Sequence, residues 1–218
     1  MRDIIFHLAD KHMEEGLRAF FQRDDWQHTL GCRRFEIDPR SDSDLFRVAG
    51  CTDGGVWKYA HKNLATFKDK YRHAVIVLDA DFDPRPGAKV LQEDISKCMI
   101  ESGWNEGRFA VIVIQPELEA WLWAPNVNVA LGFGHPNFND LRAALEAEML
   151  WNAGDPKPHD LKGARDYAAK RGGKRTGGPI FKSIFGGISR RALDLCAEPG
   201  FVTLRSALSG WFPDGGGA

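Results

Sequence analysis

Two kinds of hydrophobic pattern alternate along the first half of the chain. Short runs that are apolar throughout, Ile4–Ala9, Ala74–Leu78 and Phe109–Ile114, have strand length and no polar face. Such runs suit strands covered on both sides, as in a parallel sheet. Between them, apolar residues recur every three to four positions. Leu17, Phe20 and Phe21 follow a helix start at Asp10; Trp57, Ala60, Leu64 and Phe67 mark a helix over 56–71; Val90, Ile95, Cys98 and Met99 mark the inward face of a helix over 88–102. Cys32–Ile37 reads as a further strand, and the Pro-, Ser-, Asp- and Gly-rich stretch 38–55 as loop. Strand–helix alternation predicts an α/β fold with a mostly parallel sheet flanked by helices.

From Pro116 the pattern changes. Helices are predicted over 117–123, 139–151, 160–171, 179–188 and 199–211, with no further strand-like run. The expected organisation is an α/β domain over 1–124 and a mainly helical part over 125–218 packed on it. Trp121, Trp123, Trp151 and Trp211 read as core anchors, since aromatics on helices beside apolar neighbours usually pack.

Composition narrows the class. At 43% hydrophobic and 11% aromatic residues the chain has the material for a core, which excludes disorder as its main state. No apolar run approaches the roughly 20 residues of a membrane helix, and the acidic N-terminal segment does not suit a signal peptide, so a cytoplasmic protein without membrane partners is expected. The four cysteines, at 32, 51, 98 and 196, lack metal-finger spacing and are read as reduced thiols. A net charge of −1 conceals an asymmetry. Residues 1–154 hold 18 Lys and Arg against 24 Asp and Glu, whereas 155–218 hold 11 against 6. Lys170, Arg171, Lys174 and Arg175 cluster around glycines. This cluster reads either as a nucleic-acid backbone contact or as a solvated linker.

Acids gather where the predicted strands end. Asp10 follows the first strand, with Glu14 one helical turn later; Asp79, Asp81 and Asp83 follow the third; Glu119 follows the fourth. Ligand sites of open α/β sheets form beyond the carboxyl ends of the strands. Crowded carboxylates there call for a cation, and hard oxygen donors suit Mg²⁺ or Mn²⁺. Taken singly, the same residues have plain structural uses, Asp10 as a helix cap and Glu119 as a first-turn acid.

These segments also resemble a known family. Asp10-Lys11-His12-Met13-Glu14 after an apolar strand resembles the first Toprim motif, Glu-Gly-x-Thr-Asp/Glu, with Asp in place of the leading Glu and no Gly. Asp79-Ala80-Asp81 resembles the second, Asp-x-Asp, and PELEAWLW resembles the Pro-x-x-Glu-Ala-Trp-Leu segment of Toprim-like proteins of bacterial defence islands, among them the overcoming-lysogenization-defect nucleases. ADKHMEEGLRAFF, VLDADFD, IQPELEAWLW, Asp155-Pro156-Lys157 and Cys-x-x-Pro-x-Phe from Cys196 also resemble small proteins of methylation-associated antiphage systems. The resemblance implies a Toprim-like fold and metal-dependent phosphodiester chemistry. Asp79, Asp81, Asp83 and Glu119 would hold Mg²⁺ or Mn²⁺, and Asp10, with Glu14, would serve as the general acid/base. Apart from the resemblance, Lys11 and His12 at the start of the first helix read either as phosphate contacts or as exposed helix residues, and Lys170, Arg171, Lys174 and Arg175 as the backbone contact or linker named above. A second reading stays open: a non-catalytic subunit that binds nucleic acid or other subunits of a defence operon. So does a third, a phosphatase or nucleotide hydrolase.

Overall fold

The computed structural model describes residues 1–82, 86–123 and 125–215. Its centre is a four-stranded sheet in the order β2-β1-β3-β4, with β1 spanning Arg2–Leu8, β2 Leu45–Phe46, β3 Tyr71–Asp79 and β4 Phe109–Ile114. Every neighbouring pair is parallel, with Ile5 opposite Ala74 and Val77 opposite Ile112. Ile4, Ile5, Val75, Ile76 and Ile112 are fully or almost fully buried. This is the consequence of covering both faces: a parallel sheet needs crossover helices, and these lie over it.

The helix α1 (Lys11–Phe21) follows β1, α3 (Asp53–Leu64) follows β2 and α4 (Ala88–Glu101) follows β3. α3 and α4 pack side by side against β3 and β4. Right-handed crossovers put α1 on the opposite face, where it meets α8 (Gly178–Gly187) along its length, while α10 (Pro199–Trp211) packs on β4. The short α2 (Trp26–Leu30) and α9 (Arg190–Asp194) touch each other, and α5 (Val127–Phe133), α6 (Phe138–Ala147) and α7 (Leu161–Arg171) complete the C-terminal part. Phe181 of α8 stacks on His12 of α1, ring centroids 5.0 Å apart. Trp121, Trp123 and Trp151 are buried as expected, while Trp211 is partly exposed and stacks on His73. Among the described residues no helix is long and apolar enough to cross a membrane.

Three expectations need correction. Cys32–Ile37 forms no strand. Cys32 and Phe35 pack inward, Phe35 between Trp26 and Phe212, so its apolar positions are filled without a ladder. The sheet edge is instead Leu45–Phe46, inside the segment read as loop. It is anchored by the buried Asp44, which accepts from Arg2, from the Tyr71 hydroxyl at 2.9 Å and from the Asp38 N–H at 2.6 Å. In α4 the inward row is Leu91, Ile95 and Met99; Val90 is 44% exposed.

Candidate functional site

The strand order fixes where a ligand crevice opens. From β1 the chain runs outward to β2, and from β3 it runs outward to β4 on the other side. β1 and β3 therefore flank the switch point, where the loops at their carboxyl ends diverge. Asp10 follows β1 and Asp79 ends β3, so the sheet itself brings these two acids together.

Asp10 is the N-cap of α1, its Oδ1 accepting the Met13 N–H at 2.8 Å. Asp53, the first residue of α3, joins the pair: its Oδ1 accepts the Asp79 N–H at 2.7 Å. Asp79 Oδ1 is sealed from solvent with no hydrogen-bond partner. Burial pushes the Asp79 carboxyl well above the usual carboxylate range, and the charges of Asp53, Asp10 and Glu119 push the same way, against a hydrogen bond from the Leu118 backbone. Asp53 is raised too, chiefly by burial and further by Asp10; hydrogen bonds from the Asp79 and Asp53 backbone and the charge of Lys162 oppose the rise. Three acids thus crowd one switch point, and the innermost favours its neutral form.

The acids after β4 are placed differently. Glu117 and Glu119 sit in and before the 3₁₀ turn Leu118–Leu122, both at least nine-tenths buried. Each meets a cation of α7, Glu117 with Lys162 and Glu119 with Arg165. Burial raises the Glu117 carboxyl against the hydrogen bond from Lys162, and that same bond raises the Lys162 ammonium. Asp81 donates its N–H to the Pro116 carbonyl at 2.9 Å, and its charge reaches both Glu117 and Lys162. An open crevice of 480 Å³ lies between the ends of β3 and β4, lined by Ala80, Asp81, Gly87, Gln115 and Pro116. Asp83 lies outside the described residues.

Glu14 belongs to another network. It accepts from Arg18 Nε at 3.0 Å and from Arg47 Nε at 2.9 Å, and Arg18 also holds Asp42. Lys11 is exposed and pairs with Glu15 at 3.4 Å. Lys170, Arg171, Lys174 and Arg175 are all exposed, at the end of α7 and in the loop after it. That loop is tightly seated. A Cβ on Gly134, where φ is +84°, would stand 2.2 Å from the Gly172 carbonyl oxygen. The loop returns to α1 at Gly178, which lies against the tip of the Glu15 side chain. The basic cluster therefore lies between the close approach of Gly172 to Gly134, about 15 Å along α7 from Lys162, and the start of α8 beside α1.

Asp53 was not among the residues the sequence singled out. Its signal was the Thr52-Asp53 pair ahead of the periodic residues of α3, a helix-start pattern hidden inside a stretch read as loop. Among the described residues no group of three or more His, Cys, Asp or Glu side chains converges closely enough to cage a metal ion. The donor set still suits Mg²⁺ or Mn²⁺. Such ions are commonly held by one or two carboxylates, completed by water and phosphate oxygens, and the partnerless Asp79 Oδ1 is an oxygen of that kind. The chain matches no protein family, no curated protein and no solved structure.

Proposed function

We propose that this protein is a Toprim-like, Mg²⁺- or Mn²⁺-dependent phosphodiesterase that acts on nucleic acid as a component of a bacterial antiphage defence system. The observation that carries this reading is the placing of Asp10, Asp53 and Asp79 around the β1/β3 switch point, near enough for the charges of Asp10 and Asp53 to raise the Asp79 carboxyl, with an Asp79 oxygen sealed from solvent that has no hydrogen-bond partner. A protein gains nothing in stability from crowding acids in a buried place; a bound cation reverses that cost. Asp79 and Asp53 are the residues to hold the ion, with Asp81 toward the crevice and Asp10 at its margin. When bound, the ion polarises a phosphoryl oxygen and stabilises charge on the attacking and leaving oxygens. Asp10, fixed by its hydrogen bond to Met13, is the group to accept or deliver a proton there. The exposed Lys170, Arg171, Lys174 and Arg175 supply the positive surface that a nucleic-acid backbone needs.

A second reading has its own observation. Glu14, Glu117 and Glu119 are already neutralised by arginines or lysine of the same chain, as they would be in a non-catalytic subunit that binds nucleic acid or an operon partner through the same basic surface. Cleavage separates the two. Single-stranded and supercoiled DNA and structured RNA are incubated with wild type, Asp79→Asn and Asp10→Asn in Mn²⁺. Mn²⁺-dependent cleavage by the wild type that falls at least a hundredfold in Asp79→Asn supports the enzyme, since a misplaced catalytic contact costs about that much. Binding without cleavage by any of the three supports the subunit.

A further inference from the structure

The four acids nearest β4 and β3 do not behave alike. Asp53 accepts the Asp79 N–H, and among the described residues neither carboxylate has an ion-pair partner, whereas Glu117 and Glu119, one short turn away, are each held by α7. The Arg165 side chain is only 13% exposed, so its pairing with the buried Glu119 is shielded from solvent; Lys162 is 55% exposed and reaches Glu117 from the rim. Glu119 is nevertheless one of the charges felt by Asp79, and Lys162 is felt by Asp53. The two groups of acids therefore form one electrostatic system, and α7 supplies the positive charge on one side of it. Glu119 is drawn toward Arg165 and so stands apart from Asp79.

We propose that α7 is a latch on the acid site. Lys162 and Arg165 hold Glu117 and Glu119 while the site is free of metal, and a divalent cation bound beside Asp79 and Asp53 displaces them, loosening the first turns of α7. This inference rests on the reading of the switch point as a cation site. A cation beside Asp79 lies within reach of the same field that links Asp79 to Glu119, so it attracts Glu119 and repels Arg165 and Lys162 together. α7 carries Lys170 and Arg171 at its far end, and the loop with Lys174 and Arg175 follows directly. Release of the latch removes two cations from the acids and frees the first turns of the helix that leads to the basic cluster, which couples metal loading to nucleic-acid binding. Coupling of this kind is reciprocal: whatever weakens the latch must tighten the metal.

The test uses Mn²⁺ itself, without substrate, on the full chain. Calorimetric titration of wild type, Lys162→Met and Arg165→Met gives the affinities, and hydrogen–deuterium exchange with and without Mn²⁺ follows the amides of 161–171. Lys162→Met is the variant that keeps the fold, because its side chain is half in solvent; Arg165→Met leaves the buried Glu119 unpaired and is read only if it folds. The latch is supported if Mn²⁺ speeds exchange across 161–165 in the wild type while the β3 amides stay protected, and if Lys162→Met binds Mn²⁺ about 5-fold to 150-fold more tightly, the usual range of such couplings. Mn²⁺ binding with unchanged exchange in α7 and unchanged affinity in Lys162→Met overturns the latch alone. No Mn²⁺ binding to the wild type overturns the cation site, and the latch with it.

Discussion

At the scale of the residue, Asp79 and His7 set opposite pH dependences. Asp79 and Asp53 are raised above the unfolded value of 3.8, with burial as the leading cause for both. The folded protein keeps protons there that the unfolded chain has released, so stability declines as pH rises from about 4 through the folded values. His7 is fully buried, its Nε2 against the Asn63 amide at 2.9 Å, and burial pulls its pKa down from 6.5 to about 4. Unfolded His7 takes up a proton near 6.5 and folded His7 only near 4, so stability also falls as pH drops through that window. The two effects oppose each other between about pH 4 and 6.5, and above that range only the acids still lower stability as pH rises; His73, lowered by burial to about 4, acts in the same sense as His7. Asp79→Asn should leave the acid limb in place and raise stability on the other limb, by an amount that grows with pH. Thermal unfolding across pH measures it, each kcal/mol moving the midpoint by about 2–4 °C for a chain of this size. An Asp79→Asn variant that is less stable than wild type at neutral pH, without metal, would contradict the electrostatic account of the site.

At the scale of the element, the glycines of the C-terminal part act by close approach. Gly134, the left-handed C-cap of α5, leaves no room for a Cβ against Gly172, whereas Gly107 has a similar φ of +83° and nothing within 4 Å. Gly107→Ala should cost only the backbone strain of about 1–2 kcal/mol. Gly134→Ala should cost clearly more, because the α5 terminus and the basic loop must separate. Equal losses in denaturant unfolding would show that the loop is not held there. The same comparison explains what the sequence could reveal. The three long strands were legible because uniform apolar runs have few uses other than a doubly covered sheet, and α10 was legible because Pro199 starts it. β2 was not legible, since two residues show no periodicity and its position depends on Asp44 reaching Arg2 and Tyr71. The α5 helix was missed for the same reason: it is seven residues long, and its start rests on Asn126 accepting the Asn128 N–H.

At the scale of the whole molecule, the C-terminal part does more than cover the sheet. α8 packs along α1, α10 packs on β4, and α7 brings Lys162 and Arg165 to the acids after β4. Asp10 and Asp79 could be read as strand-end acids because strand order alone unites them. Asp53 and the two α7 cations could not, since they reach their partners through tertiary packing across 26 to 46 residues of chain. The basic cluster flanks this site, so replacing Lys170, Arg171, Lys174 and Arg175 together with Ala should weaken nucleic-acid binding without regard to sequence. It should also flatten the slope of log affinity against log salt, by up to about 0.9 per lost duplex contact or 0.7 per single-strand contact. Stability should change by no more than about 0.5 kcal/mol per exposed site. An unaltered slope with unaltered affinity would remove these four residues from any nucleic-acid surface.

On the proposed reading Asp79 and Asp53 hold a divalent cation, with Asp10 at its margin. Calorimetric titration of Mn²⁺ into wild type and Asp79→Asn, at neutral pH and without nucleic acid, tests it most directly. Displacement of the proton that buried Asp79 favours should accompany binding, so the measured heat should vary with the ionisation enthalpy of the buffer. The expected result is a saturable wild-type isotherm with that buffer dependence, weakened at least tenfold in Asp79→Asn. Saturable binding that is the same in both proteins, or no wild-type binding at millimolar Mn²⁺, would contradict it.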